Sequence, residues 1–156
     1  MLLGMSNPLL PKTISLIGMS NSGKSYWAEI LEKGYGYHRI SIDEIIMKSL
    51  EKSSLDEVTE WLGGPTSPGY FDRQNEYLHL EEQALEKILA TLDSSVPTVI
   101  DTTGSVVFLS KHVLEKLAAS TTVVWLYNKS KSISQRVLEY TSSPKPVVWR
   151  NYYEGD

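Results

Sequence analysis

The chain contains no cysteine. That absence removes disulfides, thiolate zinc sites and a cysteine nucleophile together. Long apolar runs are missing as well, since no window approaches the ~20 apolar residues that a membrane-spanning helix needs. The N-terminal "MLLGMSNPLLPK" has neither the basic start nor the apolar centre of a signal peptide, so it reads as a short leader on a cytoplasmic protein. Positive charge is scarce: 15 Lys and Arg stand against 19 Asp and Glu, for a formal net charge of −4. Such a balance argues against an extended nucleic-acid surface, whose affinity comes from clustered basic residues. The three histidines, His38, His79 and His112, stand at no metal-ligand spacing with one another or with an acid, and no internal repeat or low-complexity tract is present.

What is present is the profile of one soluble globular domain: 156 residues, 41% hydrophobic and 22% charged. A chain of this length buries roughly two thirds of its unfolded surface and builds a core without staples. Short β-branched runs alternate with longer amphipathic stretches, the pattern of an α/β fold with a parallel sheet and crossover helices. "KTISLIG" reads as a buried strand, "KSYWAEILEKG" as a helix closed by Gly34, and "YHRIS" as a weaker strand. "IDEIIMKSLEK" puts Ile42, Ile45, Ile46 and Leu50 on one helical face, and "SLDE" at Ser54 to Glu57 has the form of a capping box. The turn "GGPTSPG" precedes a long helix over about 72–92 with Tyr77, Leu78, Ala84, Leu85, Ile88 and Leu89 on its apolar face. "VPTVID" and "TTVVWLY" read as central strands by their Val and Ile content, joined by a helix in "SKHVLEKLAA". A last amphipathic helix carries Ile133, Val137 and Leu138, followed by "TSSPKP".

The sharpest feature is "GMSNSGKS", which satisfies G-x-x-x-x-G-K-[ST] between a strand and a helix. Gly18 and Gly23 permit backbone torsions that a Cβ would block, so that successive N–H groups turn inward around phosphate oxygens. The positive end of the following helix reinforces that field. Lys24 supplies a mobile charge for the β- and γ-phosphates and Ser25 an oxygen for Mg²⁺. Residues Gly18, Met19, Ser20, Asn21, Ser22, Gly23, Lys24, Ser25 and Tyr26 are therefore the candidate nucleotide-binding set. A domain of this kind also needs a carboxylate near the metal at the end of a buried strand. Asp101, closing "PTVID", and Asp43, following "YHRIS", are the two candidates, each of which also reads as a helix or turn cap.

At this point the chain resembles a known family. "ISLIGMSNSGKSYWAEILEKGYGYHRISIDEII" looks like the opening of shikimate kinases and of the wider group of small P-loop kinases that includes gluconate kinases. "VIDTTGSVV" is similar to the family's strand and glycine-rich turn, "TTVVWLYNKSKSISQRV" to its fourth strand and following helix, and "PKP" to a mobile lid. The resemblance implies a P-loop NTPase fold, three layers α/β/α with a mostly or wholly parallel sheet, in a single domain over 1–156 with a lid-like segment at 141–150. Four strands are readable here and the family has five. The family's last strand and helix would follow the lid, where this sequence reads "WRNYYEGD", so either those elements are lacking or Trp149, Tyr152 and Tyr153 take over some packing.

The resemblance also implies an activity: Mg-ATP-dependent phosphoryl transfer to a small hydroxylated acceptor. It assigns Asp43 to the acceptor hydroxyl, Lys145 to closure over the transferring group, Arg136 to the adenine, and Thr103 with Gly104 to the acceptor-side turn. Departures from the family fall on the acceptor half. The first Asp of its D-x-D pair is Ser41, its glycine triad is Thr102, Thr103, Gly104, and an acceptor-gripping arginine falls on Leu78. Shikimate is accordingly not the expected acceptor, since leucine forfeits the charge-assisted grip on a carboxylate. Two other readings stand beside the small-molecule kinase: a nucleotide-binding regulatory module without acceptor phosphorylation, and a kinase for a nucleoside or polynucleotide end.

Overall fold

The computed structural model of the chain describes residues 10–127 and 132–150, the side chains of Ile133, Arg136 and Val137 excepted. Residues 1–9 of the leader, the adenine contact expected of Arg136 and the packing expected of Tyr152 and Tyr153 lie outside the described residues. Four strands, β1 (Thr13–Ile17), β2 (His38–Ser41), β3 (Thr98–Asp101) and β4 (Thr122–Trp125), form one sheet in the order β2-β3-β1-β4. Every pairing is parallel. The α-helices among the described residues are α1 (Lys24–Tyr35), α2 (Ile42–Ser49), α3 (Leu55–Leu62), α4 (Tyr70–Thr91), α5 (Lys111–Ser120) and α6 (Ile133–Ser142).

The period-two alternation of the strands sorts their side chains between two cores. Ile14, Leu16 and Val99 join Ala28 of α1 and Tyr37 on one face. Ile100 joins Ile42, Ile46, Val58, Leu62, Tyr77, Leu85, Val113 and Leu117 from α2, α3, α4 and α5 on the other. Each fully buried Ile or Leu of that set contributes about 2 kcal/mol relative to exposure. The faces read from sequence for α2 and α4 are those that pack, with Ile42, Ile46 and Leu85 fully buried.

Chain order and strand order together place the functional cleft. The connection leaving β1 runs through α1 on one face of the sheet, and that leaving β3 runs through α5 on the other. Two adjacent strands whose connections diverge in this way open a crevice at their C-terminal ends, where ligands bind in open α/β sheets. Here the loop 18–23 follows β1 and the turn 102–105 follows β3, so the two face each other.

Three local expectations are corrected. Helix α1 runs through Gly34 and ends at Gly36, whose φ of +75° gives the left-handed cap, with Gly36 N donating to Glu32 O and Tyr37 N to Leu31 O. Helix α4 starts at Tyr70, two residues earlier than expected, because Gly69 at φ +72° turns the chain and the Arg73 guanidinium ties Pro68 O (2.9 Å) and Leu62 O (3.2 Å) beneath the turn. Strand β4 lies at the sheet edge and not in its centre. Val123 and Trp125 are exposed there, so their β-branched and aromatic character marks a strand but not a buried one. Ser54 does cap α3, accepting from Glu57 N at 3.2 Å, while the Glu57 carboxylate reaches back to Ser53 N.

Candidate active site

The loop between β1 and α1 is held by its own backbone. Gly18 sits at φ +149° and Gly23 at +98°. A Cβ on Gly18 would lie 2.6 Å from the Leu126 carbonyl oxygen and 2.7 Å from Ser22 Oγ, so glycine alone fits. Asn21 takes the left-handed region at φ +61°, which asparagine tolerates better than most residues. Ser22 N donates to Met19 O at 3.1 Å and closes the loop. Helix α1 then begins with no side-chain cap and no acidic residue in its first turn. Its free N–H groups and positive end are left available to an anion.

Lys24 is buried at the head of that helix, its ammonium donating to Gly18 O at 2.7 Å and Met19 O at 2.9 Å. Burial pulls its pKa below the ordinary lysine value, while Asp43 and Asp101 draw it back up. Two further buried oxygens nearby, Ser22 Oγ and Asp101 Oδ1, have no hydrogen-bond partner among the described residues. Buried polar atoms without partners are uncommon in folded proteins, and a bound ligand or ion is one way to satisfy them.

A cleft of about 540 Å³ opens over this loop. Ser20, Asn21, Gly23, Lys24, Ser25 and Tyr26 form its floor, and Asp43 and Leu55 one wall. Gly104 bounds it from the β3 side, and Leu138, Glu139, Ser142, Ser143, Lys145 and Pro146 from above. Asp43 lies in the first turn of α2, where Ser41 caps the helix by accepting from Glu44 N. The Tyr77 hydroxyl, from α4, donates to Asp43 Oδ1 at 3.1 Å. Burial holds the Asp43 carboxyl above the usual carboxylate range, and the Tyr77 hydrogen bond opposes that shift. Asp101 is only 2% exposed; its Oδ2 accepts from Arg39 Nη2 at 2.8 Å across neighbouring strands.

Of the residues singled out in the sequence, Ser20, Asn21, Gly23, Lys24, Ser25, Tyr26, Asp43, Gly104 and Lys145 meet around this cleft. Gly18 and Ser22 shape the loop from within. Asp101 stands behind Lys24, paired to Arg39, and Thr103 is buried with its hydroxyl turned to Glu81 and Ser105. Met19, within the loop, has an exposed side chain. Within 141–150, residues 142, 143, 145 and 146 border the cleft, whereas the following segment is fastened to α4: Trp149 N donates to Tyr70 Oη at 2.9 Å and Arg150 N to Gln74 Oε1 at 2.7 Å. Leu138 lines the cleft instead of packing as expected of an amphipathic face, and is exposed.

Tyr77, Glu81, Ser105 and Arg39 also belong to the site, and the sequence does not mark them as such. Tyr77 reads as part of the buried face of α4, but burial alone does not say where a hydroxyl points. Glu81 carried a usable signal. It lies four residues after Tyr77 and four before Leu85, so a carboxylate falls on an apolar helix face.

The donor set fits a magnesium nucleotide. The loop offers inward N–H groups, a lysine and an uncapped helix start for phosphates, while Ser25 Oγ and the unpartnered Asp101 oxygen are the hard oxygen donors that Mg²⁺ prefers.

No family model matches the sequence, and no curated protein matches it. Solved structures do resemble the fold. The shikimate kinase of Bacteroides thetaiotaomicron is 18% identical with a TM-score of 0.56, over 76% of this chain and 58% of that one. That of Aquifex aeolicus is 22% identical with a TM-score of 0.54, over 74% and 63%. That of Acinetobacter baumannii, in complex with shikimate, is 18% identical with a TM-score of 0.63, over 92% and 70%. The matched region thus spans less than two thirds of the first two enzymes. The fold is the shikimate kinase-like P-loop kinase fold, with its parallel sheet and flanking helices. No helix among the described residues is long and apolar enough to cross a membrane.

Proposed function

We propose that the chain transfers the terminal phosphoryl group of ATP to a hydroxyl of a small acceptor. The observation that carries this reading is the placement of Asp43, a carboxylate supported by a buried tyrosine, in the same cleft as Lys24 and the phosphate loop. Phosphoryl transfer asks the protein mainly to position groups and to neutralise charge.

Loop amides and Lys24 hold the phosphates, with Lys24 exchanging its carbonyl partners Gly18 O and Met19 O for phosphate oxygens. Ser25, with Asp101 directly or through water and Asp43 at the acceptor side, would hold Mg²⁺, which supplies charge neutralisation on the phosphates when bound. Asp43 Oδ1 is occupied by Tyr77, which leaves Oδ2 to orient the acceptor hydroxyl and take its proton. Lys145 closes over the transferring group from the lid side of the cleft.

The acceptor proposed is not shikimate. Leu78, in the place of the family's acceptor-gripping arginine, packs against the core, and Arg73 is committed to Leu62 O and Pro68 O. A regulatory nucleotide-binding module is the second reading, favoured by the Arg39–Asp101 ion pair, which spends half of a carboxylate that a metal-dependent kinase would use.

ADP release with small hydroxylated metabolites, nucleosides and oligonucleotides as acceptors separates these readings. Acceptor-dependent release that disappears in both Lys24→Ala and Asp43→Ala supports transfer. Tight Mg-ATP binding with no acceptor-dependent release supports the regulatory module.

A further inference from the structure

Glu81 is fully buried, yet nothing in the transfer chemistry above uses it. Its carboxylate is wrapped by one turn of chain. Oε1 accepts a short hydrogen bond from Thr103 Oγ1, and Oε2 accepts from Ser105 Oγ at 2.6 Å. The two hydroxyls also lie 2.9 Å from each other, and Ser105 N donates to Thr103 Oγ1 at 3.0 Å. Between them Gly104 is pushed outward to the cleft wall. It meets the phosphate loop there so closely that a Cβ on it would lie 2.8 Å from Ser20 Oγ and 3.0 Å from Ser20 N.

We propose that Glu81 is a positioning residue: by gripping Thr103 and Ser105 together it holds Gly104 against Ser20 and sets the distance between the acceptor-side turn and the phosphate loop. Both oxygens of one rigid, buried carboxylate are used, so neither hydroxyl can move without leaving a charged or polar atom unpaired in the core. Helix α4 thereby adds a second attachment to a turn whose first residue, Thr102, is bonded to β1 through its N–H (3.4 Å) and its Oγ1 (2.7 Å), both to Leu16 O. The glycine wall stands beside Lys24 and Asp43, at the end of the cleft where a terminal phosphate meets an acceptor. Loosening it affects a triphosphate more than a diphosphate. This last step rests on the nucleotide-binding reading given above.

The test compares Glu81→Gln, Thr103→Val and Thr103→Ser with the parent protein. Amide hydrogen exchange of the ligand-free chain reads the turn itself. Calorimetric affinities for Mg-ADP and for the non-hydrolysable Mg-AMP-PNP read the consequence. Thr103→Val keeps the side-chain volume and removes the hydroxyl, so exchange over 102–105 rises at least tenfold while exchange over α4 is unchanged. AMP-PNP affinity falls about tenfold in that variant and ADP affinity less than twofold. Thr103→Ser keeps the hydroxyl and restores both readouts; Glu81→Gln, which keeps one acceptor oxygen, falls between.

The proposal is overturned if Thr103→Val leaves exchange over 102–105 unchanged, if Thr103→Ser fails to restore it, or if ADP and AMP-PNP affinities fall together. Should the parent bind neither nucleotide, the phosphate-loop reading fails, and the exchange data alone decide whether Glu81 holds the turn.

Discussion

The phosphate loop and the turn after β3 face each other across one cleft but are held in different ways. The loop is a backbone object: Gly18 and Gly23 supply its torsions, Ser22 N closes it on Met19 O, and its ligand groups are amides and one lysine. The turn is held by side chains from elsewhere in the chain, Glu81 in α4 clamping Thr103 and Ser105 as Tyr77 supports Asp43. A backbone cradle recognises any phosphate chain that fits its curvature. A wall held by distant side chains is tuned one residue at a time, so on the proposed reading the donor side is general and the acceptor side is where an individual substrate is specified.

Removing the lysine has the largest expected effect on this comparison. Lys24→Ala takes away the single positive side chain on the cleft floor and lowers acceptor-dependent turnover about a thousandfold, roughly 4 kcal/mol. Stopped-flow ADP release checks it. A loss under tenfold would mean that the loop amides alone carry the donor side.

Glu81 gives the next largest effect, and its sign follows from burial. Burial raises its carboxyl from the ordinary glutamate value of 4.5 to about 7, against the hydrogen bonds from Ser105 and Thr103. Because the folded state holds the proton more tightly, the stability linked to this group is whole below the unfolded pKa and is lost as pH rises through about 7. Parent stability relative to Glu81→Gln should therefore fall by about 2–3 kcal/mol between pH 5 and pH 8. Urea unfolding at the two pH values measures the difference. A flat difference would show that the carboxylate is not buried as described.

On the donor side, Gly18→Ala forces a Cβ into the Leu126 carbonyl at an unfavourable φ and costs about 2 kcal/mol of stability. Gly34→Ala is its control, lying inside α1 with nothing within 4 Å of a new Cβ, and gains about 0.5–1 kcal/mol. Thermal melts of the pair separate a strained glycine from an incidental one. Tyr77→Phe is the smallest of the set on the acceptor side. It lowers turnover about tenfold through the loss of one hydrogen bond to Asp43 and leaves Mg-ATP affinity unchanged. Equal losses in both would place Tyr77 in the nucleotide site.

The same contrast explains what the sequence discloses. The phosphate loop is a local pattern at fixed offsets, and its strand and helix are legible on either side because period and glycine position are local properties. The all-parallel sheet and the packed faces of α2 and α4 follow from periodicity for the same reason. Strand β4 does not: its β-branched content predicts the sheet centre, but strand order is a tertiary outcome and puts it at the edge. The Glu81 clamp joins residues 22 and 24 positions apart, and the Arg39–Asp101 pair spans 62. Only the misfit of a carboxylate on an apolar helix face hints at the first, and nothing local hints at the second. Thr103 is legible as part of the acceptor-side turn, while the direction of its hydroxyl, into the core toward Glu81, is fixed by packing.

Calorimetric titration of the parent chain with Mg-ATP, beside Lys24→Ala, tests the central claim most directly. The account predicts saturable one-to-one binding that weakens at least tenfold in the variant. Absence of binding to ATP, GTP, ADP and GDP at millimolar nucleotide with Mg²⁺ would contradict it.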